Sequence, residues 1–190
     1  SNLQDAIAYC VEQATFNYFQ KLGFHGGYYY YQHLPHFEYA GEDKVVIVYK
    51  DLAGHFVNKL PTLESILGSM FEQYLENEGW DMIEECVGFD KYKRYFDIEE
   101  LGPRSITLSV DDVNDRILID IEWPMKLKKT TLTGRAEKTI EQKQTFLLLP
   151  FSRVWRIAKD ITNKEAVDEF SSYDLDMYLL DHDFLTENIR

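Results

Sequence analysis

Residues 3 to 22 place Leu3, Ile7, Cys10, Val11, Ala14, Tyr18 and Leu22 within an arc of about 120° when each residue turns by about 100°. A stripe that narrow predicts an amphipathic helix. Asn2 is suited to cap its start and Gly23 to stop it. A helix of this length reaches about 30 Å, enough to cross a small sheet, so it is the expected organising element.

The rest of the chain must cover that stripe. After Gly26 and Gly27 come Tyr28, Tyr29, Tyr30 and Tyr31, then a loop bearing Pro and His, then the β-rich run Lys44 to Lys50; both apolar runs read as strands or extended segments. Pro61 and Thr62 open a second helix, with Thr62 as its cap and Leu63, Ile66, Leu67, Met70, Phe71, Tyr74 and Leu75 on its apolar side. Gly79 bends or ends it, and Trp80, Ile83 and Cys86 continue the stripe.

From Tyr92 the period becomes two. Ile106, Leu108 and Val110 alternate with Thr107 and Ser109, and Ile117, Ile119, Ile121 and Trp123 with Leu118, Asp120 and Glu122, with a hairpin connection at Asp112 to Asp115. Two further strands, about 125–133 and 135–149, flank Gly134 and complete an antiparallel meander, and Pro124 marks a bulge or edge. A third helix starts near Ser152 and runs towards Phe170. The expected fold is thus α+β: a long N-terminal helix on an antiparallel β-meander, with a second helix before the sheet and a third after it. One domain over 3–170 is expected, followed at 171–190 by an acidic tail containing Asp174, Asp176, Asp181 and Asp183, or by the start of a further element.

With 20 Lys and Arg against 33 Asp and Glu, the chain carries a formal charge of −13. Such a balance repels phosphate backbones, and the short basic stretch Lys126 to Arg135 does not offset it, so nucleic acid is not the expected partner. The 45% hydrophobic and 15% aromatic content nevertheless exceeds what a disordered chain carries. The longest apolar runs, 45–49 and 146–151, fall far short of the roughly 20 residues of a membrane span. A first residue of Ser and a helix starting at once suggest a longer precursor with a signal or anchor upstream.

Three constellations bear on chemistry. Cys10 and Cys86 lie on or beside apolar helix faces; a bridge would close about 76 residues and stabilise by roughly 4 kcal/mol, while two free buried thiols are the alternative. His33, His36 and Glu38, with His25 upstream, supply donors that suit zinc, but Pro35 prevents the helical spacing of zinc hydrolases. Tyr28 to Tyr31 would turn two rings to each face of a strand, one pair to the core and one to a surface that a sugar, peptide or small ligand can stack on. The segment Asp111 to Asp115 lacks the Gly and distal Glu of a calcium loop and reads as a turn. No nucleophile elbow, phosphate loop, dinucleotide fingerprint or Cys-x-x-Cys pair is present, so no catalytic residue is assigned.

The order of several features resembles a known family. The run Ala6 to Ala14 with Cys10, then Leu22-Gly23-Phe24-His25-Gly26-Gly27-Tyr28, then Leu60 to Glu64 before a helix ending in Cys86, is similar to uncharacterised membrane-anchored archaeal proteins, many from small-genome lineages. These begin with a short pilin-like hydrophobic segment, carry a cysteine followed by a leucine-glycine-leucine-glutamine-glycine-glycine-tyrosine signature, and end this region in a meander with an aromatic-proline pair, here Trp123-Pro124. This chain departs from the signature in having Phe24-His25. The resemblance implies an outward-facing domain, anchored through a segment upstream, whose two cysteines are bridged; it implies no activity.

The preferred expectation is an extracytoplasmic interaction or assembly domain at the cell surface, pilin-like and adhesive, without catalysis or cofactor, whose partner is another protein or a second copy. The alternatives are a metal-dependent hydrolase using His33, His36 and Glu38, and a small-ligand or peptide binder using Tyr28 to Tyr31.

Overall fold

The apolar stripe becomes helix α1, Leu3–Phe24, and its seven predicted core residues are all buried. The computed structural model describes residues 3–131 and 134–168. Gly23 does not stop the helix but continues it. The stop comes at Gly26, which takes the left-handed conformation at φ 62°, while Gly27 N–H donates to the Leu22 carbonyl at 2.8 Å. A six-residue closure with glycine at the left-handed position is a Schellman stop.

That stop throws the tyrosine run across the end of α1, and the run forms no strand. The expected strand fails because the hydroxyls of Tyr28, Tyr29 and Tyr31 are each held by a different segment, which a regular pleat would not allow. The expected strand 44–50 is likewise divided. β1 (His36–Tyr39) pairs with β2 (Glu42–Val45) in one hairpin, and β3 (Val48–Lys50) with β4 (Phe56–Asn58) in another. Between β2 and β3 each ladder is extended by one bond: Val46 N–H donates to the Pro35 carbonyl and Lys59 N–H to the Ile47 carbonyl, at 2.8 and 2.7 Å.

Thr62 caps α2 (Leu63–Leu67) by accepting from Ser65 N–H at 3.1 Å. Gly68, at φ −107° and ψ −102°, separates it from α3 (Ser69–Tyr74), so the predicted second helix is kinked. A π turn, Leu75–Gly79, leads into α4 (Trp80–Val87). Gly79 is helical here, and its lack of a side chain is spatial: a Cβ would meet Leu75 Cδ2 and Tyr74 Cε1, each at 3.0 Å. Gly88 ends α4 in the left-handed conformation, and α5 (Phe89–Lys93) follows.

Two kinds of bond fasten α1 to these helices. The hydroxyls of buried Tyr18 and Tyr74 donate to the carbonyls of Ile66 and Ala14, at 2.6 and 2.8 Å. Cys10 and Cys86 are joined in a disulfide with Cα atoms 5.7 Å apart. Cys10 is buried, whereas Cys86 is exposed, so the bridge lies where the helix contact meets solvent.

The larger sheet is built on β7. β6 (Ser105–Asp111) pairs with residues 116–122 of β7 (Arg116–Thr131), and β5 (Asp97–Glu100) with 125–128. β8 (Gly134–Leu147) pairs along the whole of β7. The same β7 residues face both sides, so β8 occupies one edge while β6 and β5 share the other end to end. The two strands predicted for 116–133 are one, broken in register only at Trp123-Pro124, where β7 advances three residues against two on β8. Ile117, Ile119, Ile121, Trp123, Met125 and Leu127 face the core, and α1 lies over β8 through Gln4 to Gln142, Asp5 to Lys143 and Glu12 to Thr145.

Helix α6, Phe151–Asp168, follows the sheet as predicted. Trp155 Nε1 donates to the Pro61 carbonyl at 2.9 Å, and Asn58 Nδ2 donates to Thr162 Oγ1 and Asn163 Oδ1. The predicted tail at 171–190, and Phe170, lie outside the described residues.

Candidate binding groove on the edge of the sheet

β6 is short because Gly102-Pro103 precedes it and the turn 112–115 follows it. Its alternation turns Ile106, Leu108 and Val110 inward beside Ile121, Ile119 and Ile117, and leaves Ser105, Thr107 and Ser109 on the solvent face. Antiparallel pairing satisfies the outward groups of alternate residues only, so every second N–H and C=O of an edge strand is left for another partner. Among the described residues, backbone bonds to β6 come from β7 alone.

The free edge faces the kinked helices. The break at Gly68 sets Leu63, Leu67 and Phe71 opposite Ile106, Leu108 and Val110, and a groove of about 560 Å³ runs between helix and strand. Glu64 and Glu72, both exposed, stand on its helical wall. At the far end of β6, hydrogen bonds from Asn114 and Arg116 hold the Asp111 carboxyl below its ordinary range. That pair fixes the hairpin turn. The lining side chains carry carboxylates and hydroxyls, from Glu64, Glu72, Thr107 and Ser109, and no histidine, cysteine or lysine.

A second cavity, about 570 Å³, lies between the end of α1, α6 and the β2–β3 link, lined by Phe16, Phe19, Ile47, Trp155, Ala158 and Ile161 among others. Its lining is mainly apolar, with Gln20 and Thr162 as its polar side chains, and nothing on its rim specifies an occupant.

The sequence-derived candidates are distributed differently. Tyr28 donates to the Lys59 carbonyl at 2.5 Å, Tyr29 to Glu78 at 3.0 Å and Tyr31 to Asp43 at 2.7 Å, while Tyr30 is exposed. Burial and the adjoining Glu78 carboxylate push the Tyr29 hydroxyl up to about 12. Glu78 also takes Lys21 at 2.5 Å, so this carboxylate ties both α1 and the tyrosine run to the π turn. His25 stacks on Tyr31 at 4.1 Å, His36 meets the same ring edge-on at 5.5 Å, and His33 lies along Tyr30 at 6.0 Å. His36 Nδ1 is 2.7 Å from the Leu34 carbonyl, and Glu38 is exposed on β1. Among the described residues no three His, Cys, Asp or Glu side chains converge to hold a metal ion, so His33, His36 and Glu38 gain no geometric support as a zinc set. Cys10 and Cys86 are brought together as a bridge.

Sequence reasoning found both walls of the groove and not the groove. The alternation of 106–110 and the stripe of 63–71 are legible; their adjacency depends on β6 joining the edge of β7 nearer α2. No described helix is long and apolar enough to cross a membrane. Comparison with protein-family models, curated proteins and solved structures finds no match to this chain.

Proposed function

We propose that this chain is a non-catalytic interaction domain on the outer side of the cell, which takes up an extended segment of a partner polypeptide as an additional strand beside β6. The carrying observation is the apolar groove that follows the free edge of β6, walled by α2 and α3. An open strand supplies main-chain hydrogen bonds and the adjoining pockets receive alternate side chains, which is the physical basis of strand addition. The Cys10–Cys86 bridge supports an oxidising compartment. The likeness of the Leu22 to Tyr28 run to membrane-anchored proteins supports attachment at the surface. The reading accounts for an acidic domain without a catalytic constellation.

The test is hydrogen exchange of the β6 amides during titration with an array of extended peptides. Slowed exchange at alternate residues of 105–110, abolished when the bound peptide is N-methylated at alternate amides, is the expected result. Binding that protects the α1–α6 cavity or the Tyr28 to Tyr31 segment instead would discard the reading.

A further inference from the structure

Charge determines what a strand beside β6 must carry. On the groove side the wall presents Glu64 and Glu72 with no basic side chain lining the groove, and neither carboxylate has a hydrogen-bond or ion-pair partner among the described residues. On the solvent side, Ser105 lies opposite Glu122 and Thr107 opposite Asp120. Side chains of an added strand alternate between these two sides. Those entering the groove meet Leu63, Leu67, Phe71 and the inward row of β6, and those turned away reach towards the carboxylates of β7. Long cationic side chains suit that position, because their stems lie on the small Ser and Thr residues while their heads reach the acids.

A second copy of the chain is the wrong occupant. Pairing β6 with β6 would bring another Glu64 and Glu72 to the same groove, between bodies that each carry a formal −13, and like charges across an interface oppose association.

We infer that the segment taken up beside β6 is cationic, alternating apolar residues with lysine or arginine. The inference rests on the strand-addition reading above and names the partner's chemistry. Its recognition is of pattern: apolar side chains fill the groove, main-chain bonds hold the register, and the carboxylates on both sides select for positive charge and speed encounter at low salt.

The test uses three synthetic heptapeptides alternating valine with lysine, serine or glutamate, titrated by calorimetry into the intact disulfide-bonded protein. The lysine peptide is expected to bind about fivefold more tightly than the serine peptide, as two exposed ion pairs provide, and the glutamate peptide more weakly than either. The double variant Asp120→Asn, Glu122→Gln, which neutralises the acids on the face to which the lysines turn, is expected to reduce the lysine preference while leaving the serine peptide unaffected. Equal binding of the lysine and serine peptides, both lost on N-methylation, overturns the cationic partner and leaves strand addition standing. Binding of the lysine peptide that survives N-methylation overturns both, since charge attraction alone then explains it. Absence of binding by all three removes the strand-addition reading and this inference with it, and concentration-dependent dimerisation that shields β6 makes a second copy the occupant.

Discussion

A Cβ on Gly27 would stand 2.9 Å from Cγ of Pro61, closer than carbon atoms approach without displacement. Gly27 also holds φ at 91° and closes the α1 stop on Leu22. Conformational freedom and space are thus both required at one residue, which sets the tyrosine run against the entry to α2. Gly27→Ala is expected to destabilise by about 1–3 kcal/mol through backbone strain plus the Pro61 clash. Gly41, at φ 80° with nothing within 4 Å of its would-be Cβ, isolates the strain. Urea unfolding of both variants should show the smaller loss for Gly41→Ala, and equal losses would mean that Pro61 does not press on Gly27.

The bridge between Cys10 and Cys86 closes 76 residues, so its removal should cost up to about 4 kcal/mol through the entropy of the unfolded chain. Cys86 is exposed, so a thiol reductant reaches the bond in the folded protein. Dithiothreitol under native conditions should therefore expose two thiols to alkylation and lower the thermal midpoint, as should Cys10→Ser with Cys86→Ser. Reduction that requires denaturant would show the bond to be shielded.

Several of these features were legible in the sequence because they depend on local period. The stripe from Leu3 to Leu22, the Thr62 cap, the Ile106 and Ile117 strands and the irregularity at Pro124 each need only their own neighbours. The tyrosine run was not legible, because β-propensity describes fit to a pleated surface and Tyr28, Tyr29 and Tyr31 are held by Lys59, Glu78 and Asp43 on separate segments. Nor was the unity of β7. Pro124 reads as a bulge or edge between two strands, and it is a bulge within one: a proline N lacking its hydrogen is tolerated there, and its carbonyl still accepts from Leu101 N–H at 2.8 Å. The residues alone left the bridge open and the resemblance implied it; α1 and α4, lying side by side, form it.

Alkaline pH should act most strongly through three of the 13 tyrosines, those whose hydroxyls are raised furthest. Burial raises the hydroxyls of Tyr18 and Tyr74 well above their ordinary value of 10.0, and burial with the Glu78 carboxylate raises Tyr29 to about 12. The unfolded chain loses these protons near 10 while the folded chain keeps them, so their contribution is fully present below pH 10 and declines as pH rises towards and beyond 12. Absorbance at the phenolate band should rise in two stages, the later coinciding with loss of helical circular dichroism. Ionisation of every tyrosine near 10 with the fold intact would contradict the buried placement of Tyr18 and Tyr74.

Arg104 fastens α4 to the sheet by a means that lysine cannot reproduce. Its guanidinium carbon lies 4.3 Å from the centre of the Trp80 ring and 5.0 Å from that of Trp123, while a nitrogen bonds the Glu84 carboxylate. The two indoles meet edge to face at 5.6 Å. A planar cation covers both rings and reaches Glu84, whereas an ammonium is a point charge that can serve only one of these contacts well. Arg104→Lys should therefore cost about 1 kcal/mol, and Arg104→Ala about 2 kcal/mol, as cation–π contacts of about 0.5–2 kcal/mol and a largely exposed ion pair suggest. Tryptophan fluorescence should report both changes, since Trp123 is buried and Trp80 only half-buried. Removing Arg104 opens Trp80 to water and shifts the emission to the red. An unshifted spectrum with an unchanged unfolding midpoint in Arg104→Ala would show that α4 is held by the Cys10–Cys86 bridge and the α1 contact alone.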